Sequence, residues 1–179
     1  MGGLDKGLVT LDGNPMVSYV CERLGRQCNR LVINANRNHS TYEALGYPVI
    51  QDELVDYQGP LAGMLAGLAS LETEWMITCP TDGPFVASDY VARMLEGVTE
   101  QKAQAALAYA ENRLQPVYAL LHHSLKESLE SYLETQQRKI DSYFATLKCV
   151  HVDFSSCTQM FFNVNSADDL KRAEAMLGQ

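Results

Sequence analysis

Short apolar runs alternate along this chain with segments whose apolar residues recur at helical spacing, and this alternation constrains the fold more than any other feature. The runs at 31–33, 48–50 and 75–79 read as buried strands. Before the first, Asn14 and Pro15 predict a helix start, and Val17, Val20, Cys21 and Leu24 carry the apolar face to about Gly25. Between the first and second, Ser40 and Glu43 have capping-box spacing. A helix opening at Pro60 sets Leu61, Met64, Leu65 and Leu68 on one side, and another is expected over 88–97. The rhythm then changes: the apolar runs at 105–109 and 117–121, separated by ENRLQP, predict an antiparallel hairpin. Leu125, Leu129 and Leu133 mark a further helix, 149–154 and 160–162 read as strands, and Ser166 caps a last helix bearing Leu170, Ala173 and Leu177. Strands that alternate with helices need crossover connections. The pattern therefore predicts an α/β, three-layer, Rossmann-like domain with a mostly parallel sheet covered on both faces.

With 179 residues and no linker or repeat, one domain spanning 1–179 is expected. Fourteen Lys and Arg against 22 Asp and Glu give a net charge of −8, which argues against a nucleic-acid or acidic-membrane surface. An anionic ligand must then be held by a few local donors. The five cysteines are odd in number and form no CxxC, so they read as reduced and structural. The sequence has neither an export signal nor an apolar run of membrane-spanning length, which predicts a cytoplasmic protein.

In open parallel sheets ligands bind beyond the carboxyl ends of the strands, and three such ends carry Asn34, Asp52 and Asp82. Each either bonds its own turn or belongs to a shared site; together they favour the site. Asp82 sits in CPTDGPF, where Pro80, Gly83 and Pro84 stiffen a turn suited to a hard-cation ligand such as Mg²⁺. In GGLDKG, the glycines Gly2, Gly3 and Gly7 surround Lys6; this is either a phosphate-cradling turn or a flexible end. Gly59 before Pro60 is an anion-accepting helix start or simply a good cap. Asn163 and Asn165 contact a ligand or form turns, and Arg138 with Lys139 is an anion contact or a solvated helix end. No zinc spacing, GxSxG elbow or cysteine with an evident base supports other chemistries.

Taken in order, MGGLDKG at 1–7, INANR at 33–37, VIQDELVDYQGPLAGM at 49–64, CPTDGPF at 79–85 and FNVNSADDL at 162–170 resemble motifs of the molybdenum cofactor guanylyltransferases, over nearly the whole chain. The resemblance implies a nucleotide-diphospho-sugar-transferase-like fold. It also implies transfer of GMP from GTP to the terminal phosphate of molybdopterin, with release of pyrophosphate. By position, it makes Lys6 a phosphate contact, Asn34 and Asp52 guanine-nucleotide contacts and Asp82 the Mg²⁺ ligand. Asn163 and Asn165 match a late motif on the pterin or metal side. GTP and molybdopterin are the implied substrates, with an accessory GTP-binding protein and molybdoenzyme apoproteins as further partners.

The family motif LAGGxxxRMGGxDKG follows a hydrophobic first strand, whereas this sequence starts at the Met of that motif. The expectation is an N-terminally truncated domain whose sheet lacks its central first strand and which folds poorly alone, because both neighbouring strand edges would be left unpaired. The rival readings are a cytidylyl- or sugar-nucleotidyltransferase of the same fold, and an inactive binding or scaffolding remnant.

Overall fold

The computed structural model describes residues 5–52 and 59–178. Gly2 and Gly3, and the loop residues 53–58 within VIQDELVDYQGPLAGM, lie outside the described residues.

A single 3-10 turn at Lys6–Leu8 leads into a minimal hairpin, β1 (Thr10–Leu11) and β2 (Asn14–Pro15). Asp12 and Gly13 both have positive φ, the two-residue turn whose twist suits paired antiparallel strands. Asn14 and Pro15 thus belong to the hairpin, and helix α1 (Met16–Gly25) starts one residue later than the Asn-Pro signal implies, with Pro15 as its N-cap. The short parallel pair β3 (Ile33–Asn34) and β4 (Val49–Ile50) flanks helix α2 (His39–Glu43). Ser40 lies inside α2, and left-handed Asn38 occupies the cap position, so the expected capping box does not form.

Helix α3 (Pro60–Ala69) opens at Pro60 as the spacing predicts and buries Leu61, Met64 and Leu68. After β5 (Trp75–Ile77) and helix α4 (Tyr90–Gln101), strands β6 (Ala105–Ala110) and β7 (Arg113–His122) form the expected hairpin. Its turn is tighter than ENRLQP suggests: Glu111 and Asn112 alone span it, both at positive φ. Register breaks between Leu107, opposite Ala119, and Ala108, opposite Gln115, so the Pro116 region bulges out of the ladder. Helices α5 (Lys126–Glu134) and α6 (Ile140–Phe144) precede β8 (Cys149–Asp153), and α7 (Ala167–Leu177) closes the described chain. Ser166 and Asp169 form a reciprocal capping box on α7. Residues 160–162 are not a strand; Met160 and Phe161 end a 3-10 segment, Ser155–Phe161, whose apolar residues are buried under β7.

The main ladder runs β5-β7-β6-β8. The α/β class holds, but this ladder is mixed where alternation alone predicts mostly parallel strands: β6 is parallel to β8, while β7 returns antiparallel to β6 and β5. A two-residue turn permits only the antiparallel return. Strand β6 is buried on both faces with period two. Ala106, Ala108 and Ala110 face α4 with Val20, Tyr90, Met94 and Phe154, while Ala105 and Leu107 face α3 and α5 with Leu61, Leu129 and Tyr143. Small residues admit the helices closely; a Cβ on Gly97 of α4 would lie 2.8 Å from a Val152 methyl.

Among the described residues β5 pairs only with β7, and β3 only with β4. Between their outer edges runs a cleft of about 1290 Å³, walled by α1 (Val20, Leu24) on one face of the sheet layer and by α3 (Met64, Gly67) on the other. Two free strand edges with apolar walls are a costly surface. The chain is therefore predicted to unfold over a broad thermal range and to bind a hydrophobic dye while still native. A sharp cooperative transition with no dye uptake is the opposing outcome.

Candidate active site

Chemistry collects at the polar end of this cleft, where Asp5, Lys6, Asn34, Asp52, Gly59 and Asp82 all line the wall. Two clusters are built from separate elements.

The first is the pair of β3 and β4 ends. Being parallel neighbours in register, with Asn34 beside Ile50, they bring Asn34 and Asp52 to the same rim. The Asp52 carboxylate accepts from the Asn34 amide at 2.8 Å and from the Asn36 amide at 2.8 Å, while the Asp52 N–H donates back to Asn36 Oδ1 at 2.9 Å. Gly63 of α3 makes room for this arrangement; a Cβ there would lie 2.4 Å from Asn34 Nδ2. Asn36 stands in the INANR segment but escapes a reading based on strand ends, since it lies beyond β3 and acts through Asp52.

The second cluster joins three distant parts of the chain. Lys6 Nζ donates to Asn165 Oδ1 at 2.6 Å and lies 3.7 Å from Asp82 Oδ2. The backbone reinforces the junction, because the Val164 N–H donates to the Asp82 carbonyl at 3.1 Å. Lys6 remains 44% exposed, and an ion pair this open is worth only about 0–1 kcal/mol, so it costs little to break. Behind it, Gly83 has no room for a side chain: a Cβ would lie 2.4 Å from Tyr118 Oη and 3.2 Å from Asn163 Oδ1. That Asn163 oxygen is buried and lacks a hydrogen-bond partner among the described residues.

Asp5 is a site residue that sequence reasoning missed. Its carboxylate accepts from Tyr42 Oη at 2.7 Å and from Asn38 Nδ2 at 3.0 Å, with Arg37 Nε at 3.5 Å. The DKG triplet draws attention to its lysine, whereas Tyr42 on a short helix reads as an ordinary core aromatic. Arg138 lies apart: it is exposed between α5 and α6 and does not line the cleft. Gly59 sits at the N-terminus of α3 on the cleft wall, next to the loop outside the described residues.

The five cysteines are free. Burial pushes the Cys21 thiol up to about 11 and raises Cys79 well above its usual range, with the Asp82 carboxylate and Cys21 adding to the latter. Cys79 beside the site is accordingly a protonated thiol and no nucleophile at neutral pH. Among the described residues no three His, Cys, Asp or Glu side chains group as a metal cluster. A single carboxylate such as Asp82 suits a hard cation that takes most of its ligands from phosphate and water.

Comparison with known proteins identifies the class. Residues 1–150 match the family model described as MobA-like NTP transferase domain. Two solved structures share the fold. One is a molybdopterin-guanine dinucleotide biosynthesis protein A from Archaeoglobus fulgidus, with TM-score 0.80 at 23% identity over 98% of this chain and 92% of that one. The other, 4-diphosphocytidyl-2C-methyl-D-erythritolsynthase from Anaerococcus prevotii, gives TM-score 0.76 at 12% identity over 98% and 94%. The fold is that of the nucleotide-diphospho-sugar transferases, and the chain is a nucleotidyltransferase. A molybdenum cofactor guanylyltransferase from Shewanella loihica is 40% identical over 168 residues, covering 94% of this chain and 86% of the relative. The chain belongs to the molybdenum cofactor guanylyltransferase family. Among the described residues no helix is long and apolar enough to cross a membrane.

The crowding at Gly7 yields a test of the site's packing. A Cβ at Gly7 would lie 2.7 Å from Tyr42 Oη and 2.9 Å from Thr81 Cβ, whereas one at Gly25 would meet nothing within 4 Å. Gly7→Ala is expected to cost about 1–3 kcal/mol through overpacking, and Gly25→Ala close to nothing, as read from denaturant midpoints.

Proposed function

We propose that this chain, as one nucleotidyltransferase domain over 1–179, transfers GMP from GTP to the terminal phosphate of molybdopterin, giving molybdopterin guanine dinucleotide and pyrophosphate. The observation that carries the reading is the convergence of Lys6 and Asp82, 3.7 Å apart, on the cleft rim that also holds the Asn34–Asp52 pair. Its support from relatives is the 40% identical guanylyltransferase; the likeness to the cytidyl synthase is one of fold alone.

In this reaction an oxygen of the acceptor phosphate attacks the α-phosphorus of GTP, and the bond from that phosphorus to the bridging oxygen of pyrophosphate breaks. Such a transfer needs little covalent help from protein. It needs two anions held in line and neutralised as charge shifts to the leaving group. Lys6 supplies a positive charge to the triphosphate from a loop ordered by Asn165. Asp82 would hold the divalent cation, Mg²⁺ in this proposal, which when bound contributes charge neutralisation at the phosphates. Asp52 retains acceptor capacity beyond its two amide donors, and the Watson–Crick edge of guanine offers N1–H and N2 amino donors. Asn163 and Asn165 would stand on the pterin or metal side of the same proposal, with exposed Asn165 beside Lys6 and the Asn163 oxygen buried behind Gly83. Gly2, Gly3 and Gly59 would lend backbone donors to the phosphates; Arg138, which does not line the cleft, is given no part in this reaction. The accessory GTP-binding protein, the molybdoenzyme apoproteins and a cytoplasmic setting complete the reading.

Calorimetry is expected to show GTP binding in the presence of Mg²⁺, with CTP a poor competitor. Asp82→Ala is expected to lower turnover about 100-fold or more, on the scale of other electrostatic catalytic groups. Wild-type turnover in that variant, or equal affinity for CTP, overturns the assignment.

A further inference from the structure

The parallel pairing of β3 with β4 continues past the strand ends, where the Ala35 N–H donates to the Ile50 carbonyl at 2.9 Å. Ile33 and Ala35 are buried with Val17, Cys21 and Tyr42. Alternation therefore puts Asn34 and Asn36 together on the opposite side, where both are exposed on the cleft wall. They flank Asp52, and each amide donates to a different oxygen of its carboxylate: Asn34 Nδ2 to Oδ1 and Asn36 Nδ2 to Oδ2, both at 2.8 Å.

The two amides differ in what else they hold. A continued ladder would direct the Asp52 N–H at the Ala35 carbonyl; that N–H donates instead to Asn36 Oδ1 at 2.9 Å. Asn36 thus grips Asp52 twice, at the backbone and at the carboxylate, through the two polar atoms of one amide. Turning the amide over would set carbonyl against carboxylate and N–H against N–H, so a single orientation satisfies both bonds. With a donor on each oxygen the carboxylate's plane is fixed, and each oxygen keeps acceptor capacity for a ligand.

Two acceptors side by side in a fixed plane are complementary to two parallel N–H donors. The N1–H and N2 amino group of guanine are such a pair. Hypoxanthine keeps the N1–H and lacks the amino group, whereas cytosine and adenine set a ring-nitrogen acceptor beside their amino group, and that acceptor would meet a carboxylate lone pair. We propose that Asn36 is a positioning residue for base selection: by fixing the plane of the Asp52 carboxylate, it makes the site read both guanine donors at once. The inference deepens the guanylyl-transfer reading and rests on it for the identity of the base. That Asn36 fixes the carboxylate rests on the hydrogen bonds alone.

Asn36 is exposed, so Asn36→Ala opens no cavity in the core. Calorimetry with Mg²⁺ compares GTP with inosine triphosphate, which differs only in lacking the amino group. Wild type is expected to favour GTP about tenfold or more, the scale of one hydrogen bond to a charged acceptor. In Asn36→Ala, affinity for GTP is expected to fall about tenfold and that for inosine triphosphate less than about threefold, because a carboxylate free to turn still meets a lone N–H. Asn36→Asp keeps an acceptor for the Asp52 N–H and removes the amide donor; the same collapse of the ratio is expected, and it serves as the second variant should the first fail to fold. Its added charge repels both triphosphates alike and cancels in the ratio. A merely structural role would weaken both nucleotides equally. Independently of binding, crystal structures of nucleotide-free wild type and Asn36→Ala are expected to show the Asp52 carboxylate turned in the variant. An unchanged carboxylate, equal wild-type affinity for the two nucleotides, or a ratio preserved in the variants overturns the proposal. Failure of the wild type to bind either nucleotide would count against the guanylyl-transfer reading and base selection with it, while the two structures would still decide whether Asn36 fixes the carboxylate.

Discussion

Strand β6 is the constraint on which the rest of the molecule depends. It is the one strand of the main ladder paired to an antiparallel neighbour on one side and a parallel neighbour on the other, and its residues are almost wholly buried on both faces. Alanines at 106, 108 and 110 leave room for α4 to approach, while Leu107 fills the opposite layer against α3 and α5. Removing such a leucine typically costs about 2–5 kcal/mol, a large share of a domain's stability. Because β7 is anchored on β6, the ladder can carry β5, and the end of β5 delivers Thr81 and Asp82 to the cleft.

The other wall of the site has a different and slighter support. Strands β3 and β4 are two residues each and join the main ladder through helices, not through strand pairing, among the described residues. Helix α3 bridges them: Gly63 sits against Asn34 and Gly67 against Met76 of β5, where added Cβ atoms would lie 2.4 and 2.5 Å from the neighbouring side chains. The two glycines fall one helical turn apart on the same face, so one helix sets how far the Asn34–Asp52 rim stands from the Asp82 rim. Composition alone would count them as helix-weakening residues. Their small size is what allows the helix to span both strand groups.

Elements with a complete local signal were legible in the sequence. The α7 start shows Ser166 and Asp169 at cap spacing, the β6–β7 hairpin shows two apolar runs around a polar turn, and α3 shows Pro60 and a periodic face. Where the signal was partial, a neighbouring interaction prevailed. Apolar residues 160–162 look like a strand, yet Tyr118 Oη bonds the Met160 carbonyl at 2.8 Å and the segment packs as a 3-10 turn. Helix α6 is too short for periodicity to reveal it, and the Asp12-Gly13 turn was overshadowed by the Asn-Pro pair that follows. At the site, Lys6, Asn34, Asp52 and Asp82 stood out because they lie among glycines or at or just past the ends of apolar runs. Asp5, Asn36 and Tyr42 did not, because their roles are defined by partners 16 to 37 residues away.

The choice of neutral asparagine beside Lys6 completes the electrostatic argument. In a chain of net charge −8, a second carboxylate near Lys6 would neutralise it twice over and repel the triphosphate that the proposed reaction brings there. Asn165 instead offers a carbonyl oxygen at 2.6 Å, which orients the ammonium group while leaving its charge intact. Asp82, at 3.7 Å, makes a looser contact with the ammonium than Asn165 does. In the proposed reaction the lysine and a cation held by Asp82 would face one polyanionic ligand from adjacent positions, and the uncharged asparagine fixes the lysine's geometry without diminishing the field that would draw that ligand in.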